Sequence, residues 1–170
     1  EPQTEPIPDP KPEPILEPET EPIPEPIPEP QTEPELPQVD GIIKSVLGKG
    51  KLFGTNEADI FSFHVLDIFN RRAADKIIGF NPSHRDKIAI NIFVFPGLDL
   101  EKPEDLSFVS TTKKKELRLL SKQNYDFVYF EKKGLLYYDG NGTEKNWGNI
   151  NEGGLVALLK GRPELTVDDF

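Results

Sequence analysis

From residue 59 onward the chain alternates between apolar and polar positions. In DIFSFHV (59–65), Phe61, Phe63 and Val65 share one face, and Ser62 and His64 share the other. That is the pattern of a half-buried strand. Ile88, Ile90 and Ile92 alternate against Lys87, Ala89 and Asn91 and predict a second strand. Ile77, Ile78 and Phe80 give a shorter one after Asp75, and Ile42, Ile43, Val46 and Leu47 form the first apolar run, closed by Gly48 and Gly50. Pro96-Gly97 breaks the chain. One helix is predicted around Glu116–Leu120, capped by Thr111 or Thr112 and ending near Gln123-Asn124. YDFVYF (125–130) and LLYY (135–138) read as two strands joined by the turn Glu131-Lys132-Lys133-Gly134. A glycine-rich connection runs from Asp139 to Gly154, and Leu155–Leu159 is a further strand. Gly161-Arg162-Pro163 is the next turn, and Thr166 faces Asp169 at capping spacing. Six or seven short strands with about one α-helix predict a mainly β fold over 39–170, either a β-sandwich or a β-roll cap. About 130 residues suffice for a real core.

Residues 1–38 follow another rule. Fourteen of the chain's eighteen prolines lie there, often at alternate positions, and EPQTEP occurs at 1–6 and again at 29–34. Proline fixes φ and removes a donor, and it pushes the preceding residue to extended geometry. The expectation is a Pro/Glu-rich disordered or polyproline II spacer, spanning roughly 120 Å if fully extended at 3.1 Å per residue. Such acidic Pro-Glu segments resemble spacers that hold a domain away from a cell surface. A PxxP ligand for a groove-type module is the competing reading, but no basic anchor flanks a PxxP core.

Charge separates the two parts. Residues 1–38 hold eleven acids and one base, so the net charge of −10 belongs to the leader, and 39–170 balances nineteen acids against nineteen bases. A neutral body gives no electrostatic case for nucleic acid. Cysteine is absent, which excludes disulfides, thiolate zinc sites and cysteine nucleophiles. No apolar run is long enough for a membrane-spanning helix, so no membrane insertion is expected. The opening inside a repeat, without Met, suggests a piece of a longer chain.

GTNEADIF (54–61), DKIIGFNPSHRDKIAI (75–90), LLYYDGNGT (135–143) and GGLVALLKGRPELTVDDF (153–170) occur in this order. Together they resemble the C-terminal region of haemolysin-type (RTX-like) calcium-binding repeat proteins of bacteria, notably cyanobacteria. The similarity to serralysin-type C-terminal domains is more distant. The family's turn reads G-G-x-G-x-D-x-U-x, with U bulky. With Asp59 and Phe61 on D and U, Gly54 falls on the first glycine, Thr55 on the second and Glu57 on the third. Only this one turn is legible, with no array around it, and Gly79-Phe80 stands where Asp-Phe is common.

The resemblance implies calcium between successive turns. At the first loop its candidate ligands are Gly54, Asn56 and Asp59, where the plain alternative is a turn that caps the next strand. Asp139 and Asn141, in DGNGT (139–143), offer a second oxygen-rich loop. It is not an EF-hand, since glycine falls at its fourth position and Ile150 at its twelfth. His64 and His84 are the only histidines, and a zinc site built on them is the weaker metal reading. No G-x-S-x-G elbow and no phosphate-binding glycine loop before a helix are present, so no catalytic residues and no enzyme activity are expected. Lys113-Lys114-Lys115 reads as a solvated helix start. Tyr125, Tyr129, Tyr137 and Tyr138 could line a glycan-binding face, or pair across strands for packing alone.

The resulting expectation is a non-enzymatic C-terminal module of a large secreted or surface RTX-like protein, extracellular or at the cell surface. It would cap a β-roll, bind calcium weakly and carry a type I secretion signal. Its partners would be the upstream domains of the parent protein and the secretion machinery. Two alternatives are a stalk-displayed adhesion domain with a surface glycan as partner, and the tail of a secreted enzyme whose catalytic domain lies upstream.

Overall fold

The strands of the first half pass back and forth between two sheets instead of pairing with their neighbours in sequence. The structure is a computed structural model that describes residues 41–66 and 68–170. The spacer expected over 1–38 lies outside the described residues. β1 (Ile42–Lys44), β3 (Ile60–Phe63) and β5 (Lys87–Ile90) form a three-stranded sheet, all parallel. β2 (Lys51–Phe53) and β4 (Asp75–Ile78) pair in parallel in the other sheet. That sheet continues through β9 (Gly154–Leu159), β8 (Leu135–Tyr138), β7 (Phe127–Phe130) and β6 (Phe108–Thr111), in the order β2-β4-β9-β8-β7-β6. The fold is mainly β, with two sheets and one α-helix among the described residues.

The first three strands begin at residues 42, 51 and 60, nine apart. Ile42 therefore pairs with Ile60 after one full coil of eighteen residues. The next coil is longer because eleven residues separate β3 from β4, so Lys51 meets Lys76 and Ile60 meets Lys87. Both sheets send side chains into one core: Leu52, Phe61, Phe63, Ile77 and Ile88 are all buried there. Each large apolar side chain so buried contributes about 1.5–3 kcal/mol.

The second half extends the six-stranded sheet beyond β4. β6 and β7 are parallel and are linked by α1 (Lys114–Leu120), a helical crossover of the kind parallel neighbours need. α1 is shorter than expected and has no side-chain cap at Lys113. Thr111 acts two residues earlier: its hydroxyl accepts from the Lys113 N–H and donates to Glu116 at 2.6 Å. β7 and β8 form the predicted hairpin, turned by Gly134 at φ 64°. Because α1 covers the outer face, β7 is buried on both sides: Phe127 and Tyr129 face the main core, while Phe130 packs with Leu135, Leu155 and Leu117. Phe69, Phe95, Phe127 and Tyr138 plug the junction, with Phe95 edge-on to both Phe127 and Tyr138 at 5.3 and 5.0 Å. Phe170 packs on Phe108 and Phe127, after a capping box between Thr166 and Asp169.

Three further differences from the sequence reading concern short strands. β1, β2 and β6 are strands where only apolar runs or loops were read. The third ends at Phe63, leaving His64 and Val65 beyond it, and the fifth ends at Ile90. Ile92 begins a single 3-10 turn, because the Asn91 side chain accepts from the Phe93 N–H and bends the chain out of the sheet.

Candidate functional site

The roll turns on aspartates. Asp59, Asp75 and Asp86 each stand immediately before or at the start of a strand, two residues ahead of a fully buried apolar side chain: Phe61, Ile77 and Ile88. Asp86 Oδ1 accepts from the Asp59 N–H at 3.0 Å, one coil back, and Oδ2 accepts from the Asn81 N–H at 2.9 Å. Asp75 repeats this on the other sheet, accepting from the Gly50 N–H at 2.6 Å and from the Val46 N–H. Burial raises the Asp75 pKa, and those two backbone donors oppose the rise. Asp59 Oδ2 takes both the N–H and the hydroxyl of Thr55. These carboxylates satisfy the backbone donors that tight turns leave unpaired.

The register also shows a nine-residue recurrence that the sequence reading did not draw. Laying G-G-x-G-x-D-x-U-x on the nine-residue spacing puts Gly41, Gly50 and Asp59 on the D position and Ile43, Leu52 and Phe61 on U. The recurrent signal was the apolar residue every nine positions, not the acid.

The first candidate metal loop fits a calcium ion poorly. Calcium takes six to eight oxygens. Asp59 is buried, with Oδ2 committed to Thr55, and its near neighbour Asp86 is committed to backbone N–H groups. Gly54 is closely packed against Phe61, Asp59 and the Gly79 carbonyl, and Asn56 is exposed.

The second loop differs. Asp139 follows β8 and is only 5% exposed. Its Oδ1 accepts from the Asn141 N–H at 3.3 Å, and its Oδ2 has no partner. Burial pushes the Asp139 pKa from 3.8 up to about 6; the Asn141 and Gly142 N–H groups oppose this and the Asp126 charge adds to it. Asp126 itself is held by the Ser107 N–H and hydroxyl, each at 2.7 Å. With its amide turned to suit its neighbours, Asn141 donates to Asp139 Oδ1 at 2.7 Å and to the Asn146 carbonyl at 3.0 Å. An unpartnered buried carboxylate oxygen beside a second carboxylate is a place where a cation would find a ligand. Asp59 and Asp139 share no hydrogen-bond partner, and no metal-holding group among the described residues joins the two loops. Among the described residues no group of three or more acidic or histidine side chains converges as a metal cage.

The same loop carries the aromatic surface. Gly140 and Gly153 pack backbone to backbone, which folds 139–153 tightly on itself. This sets the Trp147 indole on the Tyr137 ring, centroids 5.0 Å apart and 16° from parallel. The four tyrosines do not form one face. Tyr129 and Tyr138 are buried, and Tyr138 donates to the Pro96 carbonyl at 2.7 Å. Tyr125 and Tyr137 are both partly exposed, and of the two Tyr137 stacks on Trp147. His64 follows β3 and His84 ends a 3-10 turn, Pro82–His84, with its Nδ1 buried without a partner among the described residues.

No family model matches the chain, nor does any curated protein or solved structure.

Proposed function

We propose that the body of this chain is the C-terminal module of a large exported RTX-like protein, a short parallel roll with its own terminal cap. The nine-residue spacing of β1, β2 and β3, with an apolar residue at each U position, is the observation that carries this reading. The β6–β9 layer with α1 covers one end of the roll, while β1 and β2 lie at its opposite edges, each with one strand partner among the described residues. A roll of parallel coils cannot bury its end faces alone, so terminal units take a capping role. In this module aspartates hold the turns through backbone hydrogen bonds, and the calcium site is the loop at Asp139.

The test is a fusion. Residues 41–170, placed directly behind a tandem of calcium-binding nonapeptide repeats, should let the array fold at a calcium concentration that leaves the uncapped array unfolded, as read by circular dichroism. Identical calcium curves with and without the module would sink the capping role. A reporter ending in 41–170 should also leave cells that carry type I secretion machinery, and its retention would remove the export role.

A further inference from the structure

The outer face of the six-stranded sheet gathers positive charge on a body whose acids and bases balance. Lys51 of β2 is the register partner of Lys76 of β4, which in turn stands beside Leu158 of β9. Neighbouring strands are about 4.8 Å apart, and alternate residues along one strand about 6.6 Å. Lys160 pushes the Lys76 pKa down most, followed by desolvation and then by Lys51 and Lys49. Like charges set directly opposite weaken a sheet, so packing alone does not account for this arrangement.

A cleft of about 310 Å³ opens within this group. Lys49, Arg71, Lys76 and Lys160 form its rim and Ala74, Leu155 and Leu158 its floor, and among the described residues no carboxylate lines it. Arg71 and Leu155 also line a second cleft of about 270 Å³, which reaches Tyr137 and Trp147. Arg71 lies near enough to Tyr137 to oppose the upward push of burial on that phenol. Cationic rim, apolar floor and aromatic stack are thus continuous.

We propose that this groove binds an extended acidic polysaccharide, its sugar rings over Leu155, Leu158 and Trp147 and its carboxylate or sulfate groups against Lys49, Lys76, Lys160 and Arg71. A small inorganic anion would leave the apolar floor unused. Duplex nucleic acid carries one charge per about 1.7 Å and needs a broader positive field than a neutral body offers. A uronate or sulfated chain spaces its charges more widely and presents C–H faces between them. This proposal does not depend on the roll-capping role.

The chain has one tryptophan, and it lies in the groove, so its emission reports on this site alone. The full 170-residue chain is titrated with an oligogalacturonate, a neutral oligosaccharide of equal length and an oligothymidylate at one ionic strength. The oligogalacturonate should give a saturable change that weakens as salt is added. The Lys76→Glu/Lys160→Glu variant should lose affinity by at least about tenfold. If that variant does not fold, Lys49→Gln/Arg71→Gln, which alters exposed side chains, should show the same loss. Equal binding of the neutral sugar, tighter binding of oligothymidylate, undiminished affinity in the folded variant, or no response at all would each overturn the proposal.

Discussion

Asp139→Asn keeps the shape of a buried side chain and removes its charge. The wild-type carboxylate is 5% exposed, has one oxygen without a partner, and titrates near 6 against 3.8 unfolded. The folded-state pKa is the higher one, so protonation favours the fold. That stabilisation is complete below about pH 4 and is lost as pH rises through about 6. A shift of this size corresponds to at most about 3 kcal/mol. At pH 8 the variant should therefore be more stable than wild type by roughly 1–3 kcal/mol, a gain of several degrees in Tm. At pH 4 the two should melt together. Urea or thermal melts at pH 4, 6 and 8 measure this directly. A variant that is less stable than wild type at pH 8 would refute the reasoning, since the charged carboxylate would then be a needed acceptor. Calcium adds a second axis. At 100-fold excess over Kd a bound ion stabilises by about 2.7 kcal/mol. Calcium should raise the wild-type Tm at millimolar levels, leave Asp139→Asn unmoved and still shift Asp59→Asn. Loss of the shift in Asp59→Asn instead would return the ion to the first loop.

Asp86→Ala strips two backbone N–H groups of their acceptor at a buried site and should cost roughly 2–5 kcal/mol in urea melts; a loss under 1 kcal/mol would mean that water replaces the carboxylate. Ile88→Ala should cost about 2–5 kcal/mol and Ile90→Ala less, because Ile88 is fully buried and Ile90 only partly so. The reverse order would show that the strand presents its other face. Lys76→Gln should raise Tm at low ionic strength by relieving repulsion from Lys160, Lys51 and Lys49, and the gain should fade in high salt. A gain that persists in high salt would point to packing rather than charge.

Period-two alternation at Phe61–Phe63 and at Ile88–Ile90 marked those strands from the sequence, because one buried face imposes it. Gly134 marked the hairpin, and Thr166 with Asp169 marked the final cap, since both are local geometries. What alternation cannot convey is which strand lies alongside. Ile60 sits between Ile42 and Lys87, residues eighteen positions before it and twenty-seven after it, and nothing local distinguishes that parallel pairing from a hairpin. The three-residue strands β1 and β2 are too short to show a period of their own and become visible only through their partners. The same holds for chemistry. Asp59, Asp75 and Asp86 look like three unrelated acids until the coils stack and set each carboxylate against backbone N–H groups of a turn. Lys49, Arg71, Lys76 and Lys160 are scattered over more than a hundred residues and become one charged rim only when β2, β4 and β9 lie side by side. Local sequence determined where the chain extends and turns, because those preferences act within a few residues. The site was decided by contacts across coils, which exist only once the sheets have formed.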